Sequence, residues 1–191
     1  MTVATLSDAP TVTADKVPLL NTAEFLGRQT APGRVLGPWS WGHLFNVVAG
    51  RGVLLDNFGT MGGRTDFENG AGIIFATRES EVADFCARYG VRFLVIQDPI
   101  PYFARLAEMS GLPRPAYETR ISSRSELAVT PLMRSTFWWR AYFEGGQERP
   151  GRGPAGAAFR HLHLARVEGN PVSSDRSAVQ IWEYDGAIRS P

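Results

Sequence analysis

The segment Trp39-Ser40-Trp41-Gly42-His43 places two indoles, a hydroxyl and an expected helix N-terminus within a few residues, with His43 in the first helical turn expected to play a structural or supporting part. Indoles stack on apolar or sugar faces, and a hydroxyl beside free backbone N–H groups holds polar ones, so the segment suits ligand binding. Burial of both indoles in the core is the competing reading. Asp56 and Asn57 follow the apolar run Val53 to Leu55 and are expected to support the segment as a second ring of polar groups. No residue is assigned a catalytic role.

Other chemistry-bearing residues have plainer readings. His161 and His163 stand two apart on one face of an expected strand, a spacing that lets two imidazoles share a metal. No third ligand adjoins them in sequence, so a solvated strand face is expected and no metal site is assigned. Cys86 is the single cysteine, which rules out an intramolecular disulfide. It falls on the apolar side of a helix, where a thiol is buried and inert. Asp56, Asp66, Glu68 and Asp98 sit at strand ends and in loops, where carboxylates cap backbone N–H groups. The sequence has no phosphate loop, dinucleotide fingerprint, nucleophile elbow or Cys-x-x-Cys pair.

The elements that must position these residues come from a chain of 191 residues, 43% hydrophobic and 20% charged. That suits one globular domain with a sizeable core. A formal charge of +1 offers no footprint for nucleic acid or an anionic membrane surface. No apolar run reaches the roughly 18 residues of a membrane-spanning helix, and the N-terminus lacks the pattern of a signal peptide. Residues 1–17 read as a disordered leader or linker, and residues 18–191 as a single α/β domain.

Asn21 with Glu24 predicts a capping box, with Leu20 stapled onto Phe25. Val35 and Leu36 form a strand that Gly37 and Pro38 stop, because proline has no N–H for the ladder. Ser40 is predicted as the N-cap of a helix that buries Trp41, Leu44, Phe45 and Val48 and ends at Gly50. Val53 to Leu55 reads as a short strand. Residues 58–72 read as a glycine-rich loop over the C-terminal strand ends, where open α/β sheets bind ligands, with a helix over Phe67 to Ala76. Thr77 is predicted to cap a helix burying Val82, Phe85, Cys86 and Tyr89, with Gly90 at its C-cap. Val91 to Ile96 suits a strand buried on both faces. Pro101 opens a helix with Phe103, Leu106, Ala107 and Met109 inward. Residues 112–129 read as loop, and Thr130-Pro131 starts one long aromatic helix to Gly145, with Leu132 on its buried side. The stretches around FRHLHLARV and SAVQIWEYDGA are expected to pair as antiparallel strands. The fold class is therefore α/β: a mostly parallel sheet covered by helices, with a small antiparallel β-rich C-terminal part.

The ordered set of segments resembles the soluble C-terminal domain of oligosaccharyltransferase catalytic subunits, membrane enzymes that move a glycan from a lipid carrier to asparagine in Asn-x-Ser/Thr. The family's WWDYG motif corresponds to Pro38-Trp39-Ser40-Trp41-Gly42, followed by His43, and AGRGVLLDNFGT, ESEVADFCARYGVRFLVIQDP, STFWWRAYFEGG and AVQIWEYDGA match later family segments in kind. The resemblance implies an acceptor-binding segment at Trp39, Ser40, Trp41, Gly42 and His43. Pro38 stands for the first tryptophan and Ser40 for the aspartate, so the charge-assisted bond that the aspartate would make is absent. The resemblance further implies a domain on the extracytoplasmic side that works with its own transmembrane part, an acceptor polypeptide or other acceptor and a lipid-linked glycan donor, and is not catalytic alone. It implies no cofactor in this chain and a divalent metal in the membrane-embedded part. A free-standing small-ligand module beneath residues 58–72, or a purely structural domain with both tryptophans fully buried, are the alternatives.

Overall fold

The computed structural model describes residues 17–55, 64–100, 102–113, 116–121, 126–144, 159–169 and 178–187. The expected leader, apart from Val17, together with Asp56 and Asn57 and the polar turn after Glu168, lies mainly or wholly outside them. The helices are α1 Val17–Arg28, α2 Gly42–Val47, α3 Arg64–Gly72, α4 Glu79–Tyr89, α5 Phe103–Met109, α6 Pro131–Ser135 and α7 Phe137–Glu144. The strands are β1 Arg34–Leu36, β2 Val91–Ile96, β3 Glu118–Ile121, β4 Glu126–Val129, β5 Leu162–Glu168 and β6 Val179–Tyr184.

The main sheet runs β1-β2-β6-β5, and β3 with β4 forms a separate hairpin. Only β1 and β2 are parallel; β6 is antiparallel to both β2 and β5. The sheet is thus mixed rather than mostly parallel. A helical crossover brings β2 back alongside β1, but β6 returns beside β2 in the opposite sense, with Leu94 opposite Trp182. The expected pairing of the two C-terminal strands is present, and it belongs to the same sheet as β1 and β2.

Alternation along the central strands divides the core in two. Val35, Phe93, Val95, Val179 and Ile181 face one side, where Leu19, Ala23 and Leu26 of α1 and Phe45 of α2 cover them. Leu36, Leu94, Ile96, Trp182 and Tyr184 face the other, covered by α4, α5 and the aromatic residues Phe137, Trp138 and Tyr142. The expectation for β2 holds: Val91, Phe93, Leu94, Val95 and Ile96 are all buried.

Several local readings are corrected. Helix α1 starts at Val17, so Asn21 lies within it and its side-chain amide donates to Glu168 Oε2 at 3.2 Å instead of joining a capping box. Phe25 lies under the Arg166 guanidinium, 5.0 Å from its ring centroid. Val53 to Leu55 is a single parallel bridge to Val35 and not a full strand. Residues 64–72 are helical, so that part of the expected loop is an element, and Ile73–Phe75 continues it as a 3₁₀ turn. Arg78, not Thr77, occupies the N-cap of α4, and Glu81 accepts from its Nε at 3.0 Å. Residues 112–129 contain the β3–β4 hairpin. The long aromatic helix is two helices. Thr136 between them is extended (φ −67°, ψ 153°); its Oγ1 donates to the Met133 carbonyl at 2.7 Å and accepts from Trp139 N at 3.2 Å, capping the end of one helix and the start of the next. Leu132 stays exposed while Met133 is buried.

Arg51 fastens α1 to β1. Its guanidinium donates to the carbonyls of Leu26 (2.7 Å), Ala31 (2.8 Å) and Gln29, and it lies 4.9 Å over the Phe93 ring. Burial lowers its pKa, with Glu183 opposing the shift. Arg51→Ala should destabilise the fold by about 2–4 kcal/mol, because the carbonyls lose a charged donor. Arg51→Lys should recover less than half of that, since an ammonium cannot span the fork. Chemical denaturation would test this, and an unchanged midpoint for Arg51→Ala would remove Arg51 from the account. A Cβ on Gly37 would come within 2.8 Å of Phe45 Cε2 and 3.2 Å of Val95 Cβ. Gly37→Ala should therefore cost about 1–3 kcal/mol through overpacking, read in the same denaturation series.

Candidate functional site

A cleft opens at the C-terminal ends of β1 and β2, the parallel strand pair among the described residues, with about 580 Å³ of empty space counted out into the open solvent at its mouth. Its origin is simple. Gly37 lets the end of β1 lie against Phe45 and Val95, and the chain then turns away through Pro38 into a 3₁₀ turn, Trp39–Trp41, closed by Trp41 N donating to the Pro38 carbonyl at 2.9 Å. Opposite stand Gly70 and Ala71 of α3, where a Cβ on Gly70 would come within 3.0 Å of Leu55. Leu106 and Trp138 close the remaining sides.

The turn divides the residues singled out from sequence. Trp39 and Ser40 line the cleft, Trp39 half-buried and Ser40 exposed. Trp41 is half-buried against the opposite core, beside the Phe45 side of the sheet. Gly42 is buried and His43 exposed on α2. Neither tryptophan is fully buried, as the purely structural reading requires. Ser40 is not the N-cap of α2: Trp41 holds that position without a side-chain cap bond, because the Pro38 carbonyl closes the preceding turn. Helix α2 is also shorter than expected, ending at Val47, and Val48 is 47% exposed rather than buried.

The structure adds residues to the cleft that were not singled out from sequence. The Arg105 guanidinium lies 5.2 Å from the Trp39 ring centroid, and Tyr102 stands one turn earlier at the same mouth. Trp138 Nε1 donates to the Gln97 carbonyl at 2.8 Å, fixing the end of β2 against α7. The Gln97 side-chain Oε1 is buried without a hydrogen-bond partner. For two of them the signal was available in sequence: Gln97 follows β2 and Tyr102 opens α5, at the end of the sheet where a βαβ unit binds its ligands.

The remaining candidates keep structural roles. Asp98 is buried and its Oδ1 accepts from Ile100 N at 2.9 Å, a turn-stabilising bond. Burial pushes the Cys86 thiol up to about 12, with nearby Arg92 acting against the shift, so the thiolate is scarce at neutral pH. His161 Nδ1 lies 3.8 Å from Asp185 and His163 Nε2 3.6 Å from Glu183, each half-exposed at the β5–β6 edge. Among the described residues no group of three or more His, Cys, Asp and Glu is placed to hold a metal ion. No helix among them is long and apolar enough to cross a membrane.

No protein-family model and no curated protein matches the chain. Solved structures do. One structure of the C-terminal globular domain of oligosaccharyltransferase from Archaeoglobus fulgidus aligns with a TM-score of 0.60 at 16% identity, covering 91% of this chain and 99% of that one. A second gives 0.57 at 18% identity over 93% and 99%. A larger structure, archaeal oligosaccharyltransferase AglB from the same organism in complex with an inhibitory peptide and a dolichol-phosphate, aligns at 0.52 and 14% identity, covering 75% of this chain and 19% of that one. The fold that carries the cleft is thus the fold of the C-terminal globular domain of archaeal oligosaccharyltransferase.

Proposed function

We propose that the chain serves as the extracytoplasmic, acceptor-side domain of an oligosaccharyltransferase-like membrane glycosyltransferase. The observation that carries this reading is the match to an isolated oligosaccharyltransferase domain over nearly all of both chains. The cleft beside Trp39 and Ser40, where the sequence motif falls, agrees with it. In this reading the acceptor lies against Trp39 and Ser40, Trp41 with Gly42 and His43 supports the turn from behind, and Asp56 and Asn57 follow as a supporting pair. A related structure is tethered to an acceptor peptide containing the NVT sequon; this chain covers 24% of that protein. A transmembrane part, a lipid-linked donor and a divalent metal held in the membrane part are the corresponding proposals here. The described part of this chain offers no metal cluster of its own.

The cleft also suits a free-standing small-ligand module, because Gly70 and Ala71, from the segment expected to cover such a site, form one of its walls.

Blotting membrane and soluble fractions of the native cells decides between the two. A membrane band well above 21.0 kDa is expected, and a soluble band at that mass would sink the transferase reading. Within the native protein, Trp39→Ala should lower acceptor glycosylation tenfold or more with the denaturation midpoint nearly kept. Trp41→Ala should instead lower stability by about 2–4 kcal/mol, since it removes an indole packed on the core. Equal loss of stability from both substitutions would return Trp39 to a packing role.

A further inference from the structure

The charge of the cleft narrows its ligand. Among the described lining residues Arg105 is the one charged side chain; the others are apolar apart from Ser40, Gln97, Tyr102 and the indole N–H groups. Arg105 forms no ion pair with any described residue, and its contact is with the face of Trp39. A guanidinium held over an indole face by a cation–π contact makes no hydrogen bond in that contact, which leaves its N–H donors for a ligand. Those donors stand at the exposed mouth of a largely apolar cavity, so a ligand can present an apolar body inward and a charge to Arg105.

We infer that the cleft binds an amphipathic anion: an apolar body seated between Trp39 and Leu106, with a carboxylate or phosphate held by Arg105 at the mouth. This rests on the reading of the cleft as the ligand site and supplies the chemical class of the ligand. Arg105 is its specificity-determining residue. A neutral ligand of the same shape would leave the guanidinium to water and gain only the apolar contact. Two sources share this chemistry, an acidic acceptor group and a phosphorylated one, and the probes separate them.

Indole N–H resonances of the 15N-labelled 191-residue chain can be titrated with 3-phenylpropionate, benzyl phosphate and neutral 3-phenylpropionamide, with Trp39 assigned from the Trp39→Phe spectrum. Both anions, or one of them, should shift the Trp39 signal saturably and at least tenfold more tightly than the amide. The tighter anion identifies the carboxylate or the phosphate source. Arg105→Gln should weaken the anion at least tenfold and leave the amide within twofold, while Arg134→Gln, an exposed arginine on α6, should change neither. Arg105→Lys should keep the preference for anion over amide in reduced form, which guards against a folding defect in the first variant. The inference is overturned if the amide binds as tightly as the anions, if Arg134→Gln weakens binding as much as Arg105→Gln, or if neither anion moves Trp39. Such a failure alongside a large membrane-bound native protein removes only the anionic ligand. Anion binding in a soluble 21.0 kDa native protein removes only the transferase reading.

Discussion

The fork of Arg51 sets the geometry from which the rest follows. Its donors collect carbonyls from the end of α1 and from the turn that leads into β1, groups that helix ends otherwise leave without partners. One residue later the backbone is bonded to β1: Val35 N donates to the Gly52 carbonyl at 2.9 Å and Leu54 N to the Val35 carbonyl at 3.0 Å. The same short segment therefore holds the approach to β1 and one of its edges. The other edge is fixed at Arg34, whose N–H donates to the carbonyl of Gly90, the left-handed C-cap of α4, at 2.7 Å. With β1 only three residues long, these anchors decide where Gly37 falls against Phe45 and Val95, and so where the chain turns out of the sheet.

The turn then explains why two tryptophans so close in sequence have different roles. A 3₁₀ turn advances about 120° per residue, so side chains two apart point about 240° apart around its axis. Trp39 reaches the core face formed by Leu36 and Leu106, and Trp41 the face formed by Phe45. The rule was available before the structure: residues at i and i+2 do not share a side of any helical turn. The two indoles, near in sequence, therefore pack on opposite sides of the sheet.

The legible parts of the fold were those with a strong period or a unique backbone signal. Val91 to Ile96 read as a doubly buried strand because every position but Arg92 is apolar, and Gly90 read as a helix end because a glycine follows the periodic residues, which its left-handed φ of +69° agrees with. Thr130-Pro131 gave a helix start that the structure keeps, with Met133 N donating to Thr130 Oγ1 at 3.2 Å. What was not legible depended on partners far along the chain. Asn21 looked like a cap because its donor and acceptor groups have local uses, but Glu168 claims its amide from the far strand. Thr136 looked like an ordinary helical residue, since its local sequence gives no sign that both neighbouring helix ends need its hydroxyl. The direction of β6 was beyond reach because the long connection from β2, through α5, a hairpin and two further helices, fixes no sense of return, whereas a helical crossover to a neighbouring strand, as between β1 and β2, favours the parallel sense. Within the site, the Trp39–Ser40 segment was legible as unusual chemistry; Arg105 was not, because an arginine on the polar side of a helix is common and its significance comes from the indole beneath it.

The mixed sheet confines the cleft. Had β6 run parallel to β2, its C-terminal end would have lain beside Ile96 and the crevice would have extended across it. Instead the first residues of β6 lie there, with Ile96 opposite Gln180. Gln180 is buried, donates from Nε2 to the Tyr142 carbonyl at 2.9 Å and accepts from Trp182 Nε1 at 3.1 Å, while Trp138 bonds the Gln97 carbonyl. Helix α7 is thereby pinned over the β2 and β6 ends at two points one helical turn apart. Its start is pinned as well, since Phe137 N donates to the Ala76 carbonyl at 2.7 Å, a bond that the break at Thr136 makes available. A continuous helix from Pro131 would have spent that N–H within its own ladder and carried Trp138 to another angle. The interruption in the aromatic helix is therefore what turns Trp138 toward Gln97 and leaves only the ends of β1 and β2 open.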